Sequence, residues 1–125
     1  MLCRHADVDE RESGGLITYG GTDATNCDRD IHYVPLAVRG EWGFNVERFT
    51  VGSISLGGTY GISDTGTSFI SGPKEAVAAI VMDLEARKYP DSDLYHVPCD
   101  GQYPDWVFRI GGKDFRIPSE EYLIE

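Results

Sequence analysis

Ile62-Ser63-Asp64-Thr65-Gly66-Thr67-Ser68-Phe69-Ile70 is the stretch that decides how the chain is to be understood. Two short apolar arms flank a polar turn whose first member is a carboxylate. The pattern predicts two buried strands joined at Asp-Thr-Gly, with Asp64 at the end of the first. Gly66 is expected to take a backbone conformation closed to other residues. Thr65, Thr67 and Ser68 set hydroxyls around Asp64, and no Lys or Arg stands within five residues of it. A carboxylate served by hydroxyls and amides rather than by a cation is placed for chemistry. Two plainer readings use the same letters. Asp and Gly are frequent in turns of any kind. A phosphoryl-transfer aspartate also follows an apolar strand, but that chemistry needs a second carboxylate or a lysine close by for Mg²⁺ and phosphate. Thr65 and Gly66 occupy those positions, which argues against it.

Outward from this stretch, the 125 residues suffice for one small domain. An apolar content of 41% is that of a globular chain. Eleven basic residues against 21 acidic ones leave a net charge of −10, which argues against nucleic acid or an anionic membrane as partner. Much of that charge would be neutralised near pH ~4, where carboxylates titrate, as suits an acid compartment. No apolar run approaches the ~18 residues of a membrane-spanning helix. Met1-Leu2-Cys3-Arg4-His5-Ala6-Asp7 turns charged at once and carries no signal-peptide core. Cys3, Cys27 and Cys99 are odd in number and lack Cys-x-x-Cys spacing, and His5, His32 and His96 are scattered. A metal site is therefore not expected.

In chain order, residues 1–13 form a polar lead. Strands are predicted at Leu16–Tyr19 and Ile31–Val38, the second near an edge because Pro35 has no ladder donor. A turn-rich loop, Gly21–Asp30, lies between them. Trp42–Leu56 has the look of one long strand, with Phe44, Val46, Phe49, Val51, Ile54 and Leu56 feeding a core and Gly57-Gly58 turning it back. Pro73–Lys88 is the one clear helix. Ser71 can cap it, Pro73 suits its first turn, and Tyr89-Pro90 stops it. Ala76, Val77, Ile80, Val81 and Leu84 recur on one apolar face, for packing rather than for a partner. Leu94–Pro98 is a further short strand. Val107–Ile110 and Lys113–Ile117 alternate about Gly111-Gly112, a hairpin signal. The predicted class is mainly β with one packed helix.

The nine-residue stretch resembles the active-site signature of the pepsin-like aspartic proteases, in the form found in their C-terminal lobe. The likeness runs from Gly14 onward through several separate motifs in the family's order. Gly14-Gly15-Leu16-Ile17-Thr18-Tyr19-Gly20-Gly21-Thr22-Asp23 is similar to the lobe's early "GGELxxGGxD" segment. Tyr33-Val34-Pro35-Leu36 and Trp42-Gly43-Phe44-Asn45-Val46 are similar to its "YVPL…YWQF" pair. Gly72-Pro73 before a helix, Val97-Pro98-Cys99-Asp100, Val107–Phe115 and Tyr122-Leu123-Ile124 follow in order. The resemblance implies a partial C-terminal lobe over residues 14–125. It implies hydrolysis of polypeptides at acid pH by water activated between Asp64 and a second aspartate in an N-terminal lobe. Thr65 would link the two active-site loops, Gly66 would offer its amide to the carboxylate, and Thr67 would bond its outer oxygen. Ser68 and Ile62 would lie along the substrate. No metal or organic cofactor is implied, and the family's compartment is secretory or lysosomal. Cys99 would pair with a cysteine beyond Glu125.

The sequence departs from that pattern in places. The connection from Trp42 to Asp64 is a few residues short, and a small disulfide loop usual before this strand is absent. Glu41 replaces an aromatic residue that lines a substrate pocket in the family. A single Asp-Thr-Gly is present, and the apolar "WILGD"-type closing strand is not. A chain ending at Glu125 is therefore expected to be inactive as a monomer, since one carboxylate cannot serve as both acid and base. It would also expose core and a sheet edge. Two alternatives follow: a non-catalytic half-lobe that binds peptides, and a retroviral-type protease that completes its pair by homodimerising. In the second the motif belongs nearer the start of the chain, so its order fits less well.

Overall fold

The structure, a computed structural model, describes residues 16–124, and the chain divides after Tyr33 into two units. In the first unit the described residues carry one organised feature. Asp23 takes the backbone N–H groups of Thr25 and Asn26 on Oδ1, at 2.9 and 3.2 Å, and the Asn26 amide on Oδ2 at 2.7 Å. This is an Asx turn, in which a short side chain replaces a backbone acceptor. These bonds favour the charged form, so the Asp23 carboxyl lies below its ordinary value of 3.8, the Asn26 side chain contributing most.

The second unit is a four-stranded antiparallel sheet with short elements around it. Its elements in order are β1 (Gly43–Val51), β2 (Ile54–Ile62), α1 (Lys74–Asp83), β3 (Arg87–Lys88), β4 (Tyr95–His96), β5 (Trp106–Ile110), β6 (Lys113–Ile117) and α2 (Ser119–Tyr122). The sheet order is β2-β1-β5-β6, and β3 and β4 form a separate ribbon. The class is mainly β, as the sequence predicts. Buried apolar side chains among the described residues are Val46, Phe49 and Val51, all on the inner strand β1, and Val51 is the most deeply buried. Phe49 meets Trp106 edge-on at 5.3 Å between ring centres and Phe108 at 4.7 Å. Such pairs add roughly 0.5–1.5 kcal/mol beyond burial alone.

The expected long strand Trp42–Leu56 is in fact a hairpin. Val51 pairs with Ile54, so the chain reverses at Gly52-Ser53, where Gly52 has φ +53°. Gly57 and Gly58 lie inside β2, with Gly57 opposite Arg48. The turning glycine was concealed in an apolar run, whereas the glycine pair that suggested a turn is held in the ladder. The second hairpin is the predicted one. Ile110 pairs with Lys113, and Gly111 and Gly112 have φ +58° and +78°, the two positive angles of a type I′ turn. The Gly112 amide donates to Glu47 Oε1 at 2.9 Å, tying this turn to β1.

The helix is shorter than predicted at both ends. Pro73 occupies the N-cap position, with no side-chain cap from Ser71 or any other residue. At the C-terminus Glu85 adopts φ +51°, the Glu85 amide bonds the Met82 carbonyl at 3.3 Å, and the Ala86 amide bonds the Val81 carbonyl at 2.9 Å. This is a Schellman stop, here built on a non-glycine residue. It releases Arg87 and Lys88 to pair with His96 and Tyr95, well before Tyr89-Pro90 could act. The predicted apolar face holds, since Ala76, Val77, Ile80, Val81 and Leu84 are all half-buried. At the helix end, Asp83 accepts from the Ser53 amide at 3.3 Å and from the Ser53 hydroxyl, so α1 is latched to the β1–β2 turn.

Neither Leu16–Tyr19 nor Ile31–Val38 forms a strand. A strand exists only where a neighbour completes its ladder, and among the described residues none pairs with these segments. Ala37 makes a single backbone bond to the Gly43 carbonyl at 2.9 Å. The strand predicted at Leu94–Pro98 is the two-residue β4. The lead at 1–13, including Cys3 and His5, lies outside the described residues.

Candidate active site

Asp64 lies two residues beyond the end of β2. The β1–β2 ladder carries Gly43 opposite Ile62, and the Ser63 amide still bonds the Trp42 carbonyl at 2.9 Å. Past that point the chain leaves the sheet into the turn at Thr65-Gly66. The Gly66 amide donates to Asp64 Oδ1 at 2.9 Å, and the Thr67 hydroxyl donates to Oδ2 at 2.6 Å. Both carboxylate oxygens are thus engaged by the three residues that follow. Bonds of this kind, from a neutral donor to an ionised acceptor, are short and strong. They favour the charged form, so the Asp64 carboxyl sits below its ordinary value of 3.8, the Thr67 hydroxyl contributing most and the Gly66 amide next.

Two expectations about this stretch fail. Gly66 is not at positive φ. Its small size matters for another reason: a Cβ there would stand 3.2 Å from Asp64 Oδ1, crowding the oxygen its own amide serves. Nor are the flanking arms buried. Ile62 is 55% exposed, and Phe69 and Ile70, also about half exposed, are not in a strand. β2 is an edge strand, so only β1 covers one of its flanks. Asp64, Thr65 and Ser68 are exposed as well. The structure therefore brings Asp64, Gly66 and Thr67 together through hydrogen bonds. Thr65, Ser68 and Ile62 adjoin them along the chain.

One partner of this region was missed. Tyr60 donates its hydroxyl to Glu41 Oε2 at 2.8 Å, and that bond raises the phenol's pKa above the ordinary 10.0. Its ring lies on the bare Cα of Gly43, where a Cβ would overlap it. The sequence held a signal for this: Gly43 stands diagonally across the ladder from Tyr60, an aromatic residue beside a missing side chain.

Cys27 and Cys99 are exposed free thiols. Among the described residues, no group of three or more His, Cys, Asp or Glu side chains could hold a metal ion. No helix among them is long and apolar enough to cross a membrane.

Comparison with known proteins places this chain in a family. A model of the eukaryotic aspartyl proteases matches residues 6–125. The chain is 39% identical over 127 residues to aspartic protease 1 of Caenorhabditis elegans, covering 99% of this chain and 32% of that protein. It is 40% identical over 127 residues to aspartic protease 17 of the same organism, with the same coverage. Pepsin A of Sus scrofa is 29% identical over 119 residues, 91% of this chain and 31% of that enzyme. The chain spans about a third of the length of the curated relatives it matches. With nearly its whole length matched, the chain belongs to the eukaryotic aspartyl protease family, the pepsin-like aspartic proteases.

Proposed function

We propose that this segment is a partial C-terminal lobe that supplies one of the two catalytic aspartates of an acid endopeptidase, and that Asp64 is that residue. The observation that carries the reading is the carboxylate itself. Asp64 is open to solvent on one side, bonded by the Gly66 amide and the Thr67 hydroxyl on the other, and has no cationic partner among the described residues. Such a group stays ionised into acid while its outer surface remains free to hold a water molecule.

The chemistry needs a second carboxylate. Two aspartates brought close cannot both ionise readily, so their ionisations are pushed apart and one proton is shared. The ionised member takes a proton from the water as it attacks the peptide carbonyl. The neutral member gives its proton to the carbonyl oxygen, and the tetrahedral adduct then collapses with proton return to the leaving amine. The partner aspartate would come from an N-terminal lobe. Thr65 would link the two loops, and Ser68 and Ile62 would border the extended polypeptide. The two carboxylates do this work without a metal or organic cofactor. An acidic secretory or lysosomal compartment suits both the charge excess and the chemistry.

The test is proteolysis of an unfolded protein at acid and at neutral pH, by the full-length protein carrying this segment and by the 125-residue segment alone. Acid hydrolysis by the first and none by the second is expected. Hydrolysis that is strongest at neutral pH would overturn the reading. Activity of the segment alone, second order in its concentration, would favour a homodimer instead. Peptide binding without cleavage by the full-length protein would favour a non-catalytic lobe.

A further inference from the structure

The ladder register sets a second carboxylate, Glu41, across from Asp64 at the end of the hairpin, and Tyr60 holds it. The β1–β2 ladder runs through Gly43–Ile62 to the bond between Ser63 and Trp42, and the next residues on each side are Glu41 and Asp64. Side chains alternate along a strand, so Tyr60 and Ile62 share a face. Glu41 is on that face too, because the Tyr60 hydroxyl reaches its carboxylate at 2.8 Å. The Tyr60 ring can make that reach only because Gly43 has no side chain: the phenol occupies the space a Cβ there would fill. Tyr60 occupies one Glu41 oxygen and leaves the other for a ligand, and no cation among the described residues pairs with Glu41. The half-exposed Ile62 and the Tyr60 ring form an apolar floor leading to this carboxylate.

We propose that Glu41, oriented by Tyr60, is a specificity-determining residue that selects a lysine or arginine side chain of the polypeptide substrate beside the scissile bond. A long basic side chain fits both halves of the patch. Its methylene stem can lie along Ile62 and the Tyr60 ring, and its cation can meet the fixed carboxylate. An acidic side chain would meet like charge there, and the carboxylate-rich chain deepens that rejection. The inference rests on Asp64 being catalytic.

It is tested with the full-length protein carrying this segment and peptides that differ only in lysine, norleucine or glutamate at each position flanking the cleaved bond. At one position the kcat/KM ratio of lysine to norleucine is expected to be about tenfold, the scale of a hydrogen-bonded charge pair. Glu41→Gln should bring the ratio near one, and Glu41→Lys should turn the preference toward glutamate. Tyr60→Phe, which keeps the carboxylate but frees it, should reduce the ratio part of the way. Where Asp64→Asn silences the enzyme, a lysine ratio that neither Glu41 variant changes overturns this inference alone. Cleavage that survives Asp64→Asn overturns the catalytic reading and this inference with it.

Discussion

The Thr67 hydroxyl donates to Asp64 Oδ2 at 2.6 Å, while the Gly66 amide holds Oδ1 at 2.9 Å. The two bonds reach separate oxygens, so removing one leaves the other in place. Thr67→Val keeps the shape of the side chain and deletes the donor. It should raise the Asp64 pKa toward its ordinary 3.8, since the Thr67 bond is the main cause of the lowering. The sign for folding follows. A depressed carboxyl pKa contributes stability that is present above the unfolded value and lost as pH falls through the folded one. Thr67→Val should therefore be least stable relative to wild type near neutrality, and the gap should close in strong acid. Titration of the Asp64 carboxyl carbon by NMR reads the first effect, and denaturation at several pH values reads the second.

Glu85 ends α1 at φ +51°, a conformation that costs a side-chain-bearing residue roughly 1–2 kcal/mol. Glycine carries no such penalty but has more backbone freedom to lose on folding. Glu85→Gly should therefore stabilise the chain by about 0.5–1 kcal/mol. A rise in the urea midpoint at constant slope would agree, and a fall would show that the glutamate side chain contributes a contact of its own.

Gly43 is buried under the Tyr60 ring. Gly43→Ala must push that ring aside and break its bond to Glu41. Overpacking of this kind costs about 1–3 kcal/mol. Loss of the raised Tyr60 pKa in a spectroscopic titration would identify the displaced ring as the cause.

Phe49 joins the two inner strands, meeting Trp106 and Phe108 across the β1–β5 ladder. Phe49→Ala should cost about 3–5 kcal/mol and change the emission of Trp106. A loss below about 1 kcal/mol would mean that the sheet does not depend on this cluster.

The sheet and the site were legible to different depths. Gly111-Gly112 between alternating strands could be read from local sequence because both angles of its turn are set by the glycines themselves. The apolar stripe of α1 was legible for the same reason, its contacts being set by helical spacing. The reversal at Gly52-Ser53 was not, because a lone glycine in an apolar run looks like strand until its partner strand is known. The helix stop at Glu85 was hidden too, since the sequence offers no glycine there and the backbone bonds make the cap. Ile62, Phe69 and Ile70 were expected to be buried; they are apolar, but β2 is an edge strand with little to cover it. In the site, Asp64 and its neighbouring hydroxyls stood out as residues. The Glu41–Tyr60 bond, which depends on pairing across nineteen positions, did not.

The most direct measurement is kcat/KM for acid proteolysis by the full-length protein carrying this segment, with and without Asp64→Asn. The substitution keeps the size of the side chain and removes its acid–base chemistry. A fall of about 10³-fold or more, with the fold unchanged, is predicted. Activity within a few-fold of wild type would contradict the assignment of Asp64 as one of the two catalytic aspartates.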